Sequence, residues 1–301
     1  PTQFFFIDPA TTVIYTILFV GCVRCVLESA STAGDCARLD AELLIAQVLN
    51  KSRSYLYSHP EYLLSDEQLE TAQRLVELRC QGRPIAYLQG QKEFWSLSLA
   101  VNEGVLIPRP ETEMLVEFAL RLDLPVNASV VDLGTGSGAI ALALASEKKS
   151  WQITAVEYID NALKVAKHNI ETAADKDFFT LHLIQANWLS AFAEHSFDLV
   201  IANPPYIDYH DPHLKKGDLL FEPSTALVSN DQGLADIKSI ALQSTHCLRP
   251  GGYLIIEHGC DQSQQVKEIL NNNNFIGAQC HRDLSDTVSY THLTLPTKRI
   301  V

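Results

Sequence analysis

Residues 129–145, SVVDLGTGSGAIALALA, decide the fold. Five residues rich in β-branched and apolar types, Ser129 to Leu133, run into glycines at positions 134, 136 and 138, and an alanine- and leucine-rich stretch follows from Ala139. That order predicts a buried strand, a tight turn and a helix, with turn and first-turn N–H groups available as donors to a ligand that approaches the backbone closely. The dinucleotide fingerprint requires GxGxxG, and Gly134-x-Gly136-x-Gly138 is a different spacing. Outward from this unit the pattern repeats. WQITAVE, a helical stretch from Asp160, FTLHLIQA, FDLVIAN, a helical stretch from Gly233 and GGYLIIEHG alternate down the chain. Such alternation predicts parallel βαβ units: an α/β, doubly wound, mostly parallel sheet of Rossmann-like form, whose ligands sit outside the carboxyl ends of its strands.

Each of the first four strands ends in a ligand-type group. The first delivers Gly134, Thr135, Gly136, Ser137 and Gly138. The second ends in Glu157, placed either to hold ribose hydroxyls or as a solvated strand-end charge. The third leads to Asn187 and Trp188, whose indole either stacks on a purine or plugs the core. The fourth ends in Asn203-Pro204-Pro205-Tyr206. A residue before proline is forced to extended angles, so Asn203 and Pro204 are both held extended and their polar groups point in fixed directions. The Asn203 side-chain oxygen and the Pro204 carbonyl form an acceptor pair for the two hydrogens of a planar –NH2 group, with the Tyr206 ring over its flat face. An amide or arylamine nitrogen is a poor nucleophile, and holding it in line with an electrophilic methyl is worth roughly 7–11 kcal/mol in favourable cases. Dipoles facing the nitrogen add to this as positive charge develops. We therefore read Asn203, Pro204 and Tyr206 as catalytic, and Asn203 to Tyr206 as holding the acceptor. The alternative is a rigid turn, which ordinarily uses Gly, Asp or Ser.

Ahead of the sheet the chain is different. Residues 38–50 (RLDAELLIAQVLN) carry apolar residues at helical spacing, and Ser65-x-x-Gln68 has the form of a capping box opening a helix that stops near Gly82. These predict a helical domain over residues 1–90. EFWSLSLAV, residues 93–101, alternates with period two and reads as one strand of a hairpin closing near Asn102-Glu103-Gly104, within a linker over 91–107. The α/β domain then occupies 108–301, with Pro110 opening the helix ETEMLVEFALRL. Residues 1–23 read either as a buried helix or as sequence foreign to the functional product. The apolar run 13–23 is shorter than the ~20 residues a membrane span requires, and no basic segment precedes it as in a secretory signal.

With 36 acidic against 23 basic side chains the formal charge is −13, which disfavours a broad grip on nucleic acid. Seven cysteines without a regular framework fit a reducing, cytoplasmic setting, and Cys22-x-x-Cys25 alone is a weak metal or redox signal. His246 and His258 are read as satisfied or solvated rather than as ligands. No metal, no membrane and no direct nucleic acid partner are expected, and the chain is expected to be a monomer.

Taken together these residues resemble the class I S-adenosylmethionine methyltransferases and, more closely, the HemK/PrmC family of release factor glutamine methyltransferases. The resemblance covers residues 38–284: RLDAELLIAQVL, PIAYL, EFWSL, LIPRPETE, DLGTGSGAIALALA, NPPY, FEPSTAL and GGYLIIEHG. NPPY alone is shared with amino methyltransferases of nucleic acids, whereas EFWSL followed by IPRPETE ahead of DLGTGSG is narrower. The resemblance implies methyl transfer from S-adenosylmethionine, leaving S-adenosylhomocysteine, to the glutamine amide of the Gly-Gly-Gln loop of peptide chain release factors. It implies that Gly134 to Gly138 hold the methionine part, Glu157 the ribose, and Asn187 and Trp188 the adenine, and that the helical domain of residues 1–90 helps to dock the release factor. The family usually has Asp at position 157 and an acid at 187, so these departures imply somewhat weaker cofactor affinity. Arg109 and Glu111 lie in a matching segment without a chemistry derivable from sequence. The tail from Val288 does not resemble the family and reads as adapter or out-of-frame sequence, with the last strand missing or imitated. Rival readings are a glutamine methyltransferase acting on ribosomal protein L3, a nucleic acid amino methyltransferase, and an inactive cofactor-binding protein.

Overall fold

The computed structural model describes residues 35–174, 180–282 and 288–294. The chain divides into two compact units, residues 1–90 and 91–301. Residues 1–23, including Cys22 and Cys25, lie outside the described residues.

In the first unit α1 (Asp35–Leu49), α2 (Arg53–Ser58), α3 (Asp66–Cys80) and α4 (Ile85–Gln89) bury Leu44, Ile45, Leu56, Ala72, Val76 and Leu88. The capping box forms: Gln68 N–H donates to Ser65 Oγ at 3.3 Å and Ser65 N–H to Gln68 Oε1 at 3.0 Å. Glu42, buried in α1, accepts from Arg38, Arg53 and Tyr57.

The second unit opens with a hairpin, β1 (Gln91–Phe94) against β2 (Leu97–Ala100). Here the sequence reading is corrected, since residues 93–101 are not one strand. The turn falls at Trp95-Ser96, both in the left-handed region with φ of 52° and 59°. A two-residue turn with positive φ at both positions matches strand twist but normally uses Gly or Asn, so the usual signal was missing. Glu113, at the start of the next helix, stabilises the turn by accepting from the Trp95 N–H at 2.8 Å. A 3-10 turn, Pro110–Thr112, leads into α5 (Glu113–Arg121).

β3 (Ser129–Leu133), α6 (Ala139–Glu147), β4 (Gln152–Glu157), α7 (Asp160–Ala174), β5 (Leu181–Gln185) and β6 (Phe197–Ala202) follow. Then come α8 (Ala235–Cys247), β7 (Leu248–Gly259), α9 (Ser263–Asn272), β8 (Ile276–Arg282) and β9 (Val288–Thr294). The sheet order is β5-β4-β3-β6-β7-β9-β8. β3 to β7 pair in parallel, and β9 alone runs antiparallel, between β7 and β8. The stretch read as foreign to the domain thus supplies a strand over residues 288–294.

Successive strand residues point to opposite faces, and two cores result. Val130, Ile153, Leu199, Ile201 and Ile255 pack with α5 and α6, whereas Val131, Val156, Val200, Leu254 and Ile256 pack with α8 and α9. Helices therefore cover both faces, as the near-continuous apolar strands predict. Strand order reverses at β3, whose neighbours are β4 and β6, so the crevice for a ligand lies above the carboxyl end of β3.

Candidate active site

Register places the site. Leu133 pairs with Val156 on one side and with Ala202 on the other, so the next residues, Gly134, Glu157 and Asn203, emerge side by side. Gly134, Gly136 and Gly138 all have positive φ, of 68°, 57° and 85°. At Gly134 the need is also steric: a Cβ would stand 3.2 Å from the Trp188 ring, which lies against it. Asp132 anchors this turn from below, its Oδ2 accepting from Thr135 Oγ1 at 2.5 Å and from the Ala141 N–H at 3.2 Å. Burial pushes the Asp132 carboxyl up to about 7. Its hydrogen bonds oppose that shift, and the Glu157 charge adds to it. Asn169 on α7 ties the turn to the hairpin, donating to Ser137 O at 2.8 Å and exchanging hydrogen bonds with the Ala100 backbone.

A cavity of ≈ 400 Å³ opens above these strand ends, within the ~300–1,000 Å³ of small-molecule sites. Gly134, Gly136, Glu157, Asn187, Trp188, Asn203 and Pro205 contribute to its wall. Two smaller cavities adjoin it. One of ≈ 50 Å³ is walled by the glycine turn, including Thr135 and Ser137, with Arg109, Thr112 and Asn203. The other, of ≈ 70 Å³, has Pro204, Tyr206, Arg109, Glu257 and again Asn203 in its wall. Gly138 lines none of the three; it sits against Leu142 and Ala166 and allows α6 to approach α7. Trp188 lines the large cavity and also packs on the core that contains Val131 and Leu133 of β3.

Glu157 is more engaged than expected. Its Oε2 accepts from the Gly136 N–H at 3.0 Å, and Oε1 from the Tyr158 and Ile159 N–H groups at 2.8 and 2.9 Å. A carboxylate offers about four acceptor positions, so three are used by the backbone and roughly one faces a ligand.

Sequence reasoning missed the support of the NPPY segment. Asn203 Nδ2 donates to Thr112 Oγ1 at 3.1 Å, and Thr112 Oγ1 donates to Glu257 Oε2 at 3.0 Å. Tyr206 OH donates to the other oxygen of Glu257 at 3.3 Å. Burial raises the Glu257 carboxyl to about 7, against the stabilising hydrogen bonds of Thr112 and Tyr206. Burial first, and the Glu257 charge next, hold the Tyr206 phenol well above its ordinary value. Arg109, without a role in the sequence reading, pairs at 2.5 Å with Glu222, whose second oxygen accepts from the Ile107 N–H at 3.1 Å. That pair joins the IPRPETE segment to the FEPSTAL segment. The carbonyl of Tyr206 accepts from Gln262 Nε2 at 2.9 Å and lies so near Gly233 that a Cβ there would come within 2.1 Å of it. Among the described residues no cluster of His, Cys, Asp and Glu fits a metal, and no helix is long and apolar enough to cross a membrane. His258 is buried with Nδ1 on the Gly259 carbonyl at 2.8 Å.

A five-stranded parallel core, a glycine turn at its reversal point and NPPY on the adjacent strand define a class I methyltransferase. Residues 26–90 match the PrmC N-terminal domain and residues 111–279 the Methyltransferase small domain. A release factor glutamine methyltransferase of Shewanella oneidensis is 48% identical over 240 residues, covering 80% of this chain and 83% of that protein. One from Escherichia coli is 42% identical over 259 residues, covering 86% and 92%. The crystal structure of a methyltransferase from Pyrococcus furiosus shares the fold, with a TM-score of 0.52 at 15% identity over 72% of this chain and 96% of that one. The chain belongs to the release factor glutamine methyltransferase family.

Proposed function

We propose that this protein transfers a methyl group from S-adenosylmethionine to the side-chain amide nitrogen of the glutamine in the Gly-Gly-Gln motif of peptide chain release factors. The observation that carries the reading is that Asn203 belongs to the walls of all three cavities. A methyl donor in the large cavity and an amide in the one beside Pro204 and Tyr206 would meet at this residue. The residues present fit the donor: an open glycine turn for its amino-acid end, a buried carboxylate at Glu157 for a diol, and the Trp188 ring with Asn187 for a purine. When bound, that group supplies a methyl on a cationic sulfur that leaves as a neutral thioether.

Asn203 Oδ1 and the Pro204 carbonyl accept the two amide hydrogens and turn the nitrogen toward the methyl carbon. Tyr206 covers the amide plane and excludes water. As the nitrogen bonds to carbon and the carbon–sulfur bond breaks, these two dipoles stabilise the positive charge on nitrogen. One amide proton then passes to solvent, and the product is the neutral N-methyl amide. Gly134 to Ser137, Glu157, Asn187 and Trp188 hold the donor; Asn203 to Tyr206 hold the acceptor; the helical unit of residues 1–90 contributes to docking of the release factor. Family membership favours this substrate over ribosomal protein L3 or a nucleic acid amine, and the net charge of −13 also disfavours the nucleic acid.

The test is transfer of label from S-adenosylmethionine to purified unmethylated release factor, beside a factor whose Gly-Gly-Gln glutamine is replaced. Label on the intact factor alone, lost with Asn203→Ala, supports both reaction and site. Equal label on both factors, or on protein L3 instead, overturns the assignment.

A further inference from the structure

We infer that Thr112 and Glu257 are positioning residues that set which end of the Asn203 amide faces the acceptor, a reading that rests on the methyl transfer proposed above. The two ends of a primary amide are nearly equal in shape but opposite in hydrogen bonding. If Asn203 turned over, its –NH2 would face the –NH2 of the substrate, two donors would oppose each other, and the acceptor pair with Pro204 would be lost. Something must therefore hold the amide in one sense.

The Thr112 hydroxyl has a single proton, and with Glu257 ionised its Oε2 at 3.0 Å accepts the hydrogen bond. What the hydroxyl then offers Asn203 is a lone pair, and only the –NH2 end, 3.1 Å away, can use it. Oδ1 is left as the end not engaged by Thr112. A buried carboxylate thus reads out, through one hydroxyl and through its own hydrogen bond with Asn203, as the polarity of an amide just past the end of a neighbouring strand. Its other oxygen takes the Tyr206 hydroxyl at 3.3 Å, so the same group also holds the ring that covers the substrate. Thr112 and Glu257 are both buried, with 5% and 2% exposure, so these bonds lie where the local dielectric is low. Neither residue lies within the NPPY segment: Thr112 belongs to the turn ahead of α5 and Glu257 to β7.

Two measurements test this. In the first, Thr112→Val, which removes the hydroxyl at equal shape, is compared with Thr112→Ser in methyl transfer to release factor. Loss of one buried hydrogen-bond partner predicts a fall in kcat of about 10- to 100-fold for Val. The KM for S-adenosylmethionine should stay within about threefold, and Ser should recover most of the turnover. In the second, the melting temperatures of Thr112→Val, Asn203→Ala and the double variant are compared without any substrate. If the two residues act through one bond, the double variant melts near the worse single one. A kcat for Thr112→Val within about threefold of wild type, Ser as slow as Val, or additive losses in melting temperature would each overturn the inference. Should wild type transfer no methyl to release factor, the functional reading fails, and the melting cycle still decides whether the relay exists.

Discussion

Replacing Gly233 by Ala perturbs the acceptor loop from outside the cavities. Gly233 has a φ of 83° and follows Asp231 and Gln232, both also left-handed, so an alanine there carries backbone strain of roughly 1–2 kcal/mol. The added Cβ would stand 2.1 Å from Tyr206 O and 2.7 Å from Gln262 Nε2, where real contacts are no shorter than 3.0 Å. The Tyr206 carbonyl must therefore retreat by about 1 Å, taking with it the segment that holds Asn203 and Tyr206. A 1 Å misplacement of reacting groups lowers turnover by ~100-fold, and the backbone strain alone lowers the melting temperature by ~2–8 °C. Steady-state transfer from labelled S-adenosylmethionine, a titration with S-adenosylhomocysteine and a thermal melt measure the three quantities. Cofactor affinity should stay within about threefold, since Gly233 lines none of the three cavities. A kcat within about threefold of wild type, together with an unchanged melt, would refute the claim that Gly233 braces the loop.

Gly134→Ala should weaken S-adenosylhomocysteine binding by about tenfold or more, read by calorimetry, because a Cβ at φ 68° meets the Trp188 ring at 3.2 Å. Arg109→Met leaves the buried Glu222 without its cation and should destabilise the fold by ~3–5 kcal/mol at neutral pH. Burial already raises the Glu222 carboxyl, so this loss should shrink in acid, where a denaturant titration repeated at two pH values would find it. Glu257 titrates near 7 in the fold against 4.5 ordinarily, so between those values the folded state keeps a proton that the unfolded chain has released. Stability from this group therefore falls as pH rises from about 4.5 to about 7. In Glu257→Gln that part of the slope should vanish from melting curves taken across the range; an unchanged slope would refute the assignment.

The parallel strands were legible because each is a short apolar run bounded by turn residues, and their ends could be aligned without knowing the pairing. The hairpin was not: its turn uses Trp95 and Ser96, and only the pairing of Phe94 with Leu97 reveals it. At the site, residues at strand ends could be named from spacing alone. The groups that fix them could not, because Thr112 meets Glu257 across 145 positions and Arg109 meets Glu222 across 113. A Thr in PRPET and a Glu in IIEHG each look like ordinary helix-entry and strand-end residues until the fold joins them. Glu157 shows the converse limit: its place at a strand end was readable, its three backbone donors were not.

The position of β9 governs the order in which the domain is assembled. β8 precedes β9 in the chain yet, among the described residues, has no partner in the sheet except β9, which separates it from β7. On emerging from the ribosome, β8 must therefore wait, and the flank of β7 that carries Glu257 stays bare. Its neighbour there is Tyr290, synthesised 33 positions later. The backbone edge of β7 at Glu257 is thus paired only once β9 has been made, whereas the partners of its carboxylate, Thr112 and Tyr206, are already in place. A chain that has made every residue lining the three cavities therefore still lacks the strand that joins β8 to the rest of the sheet.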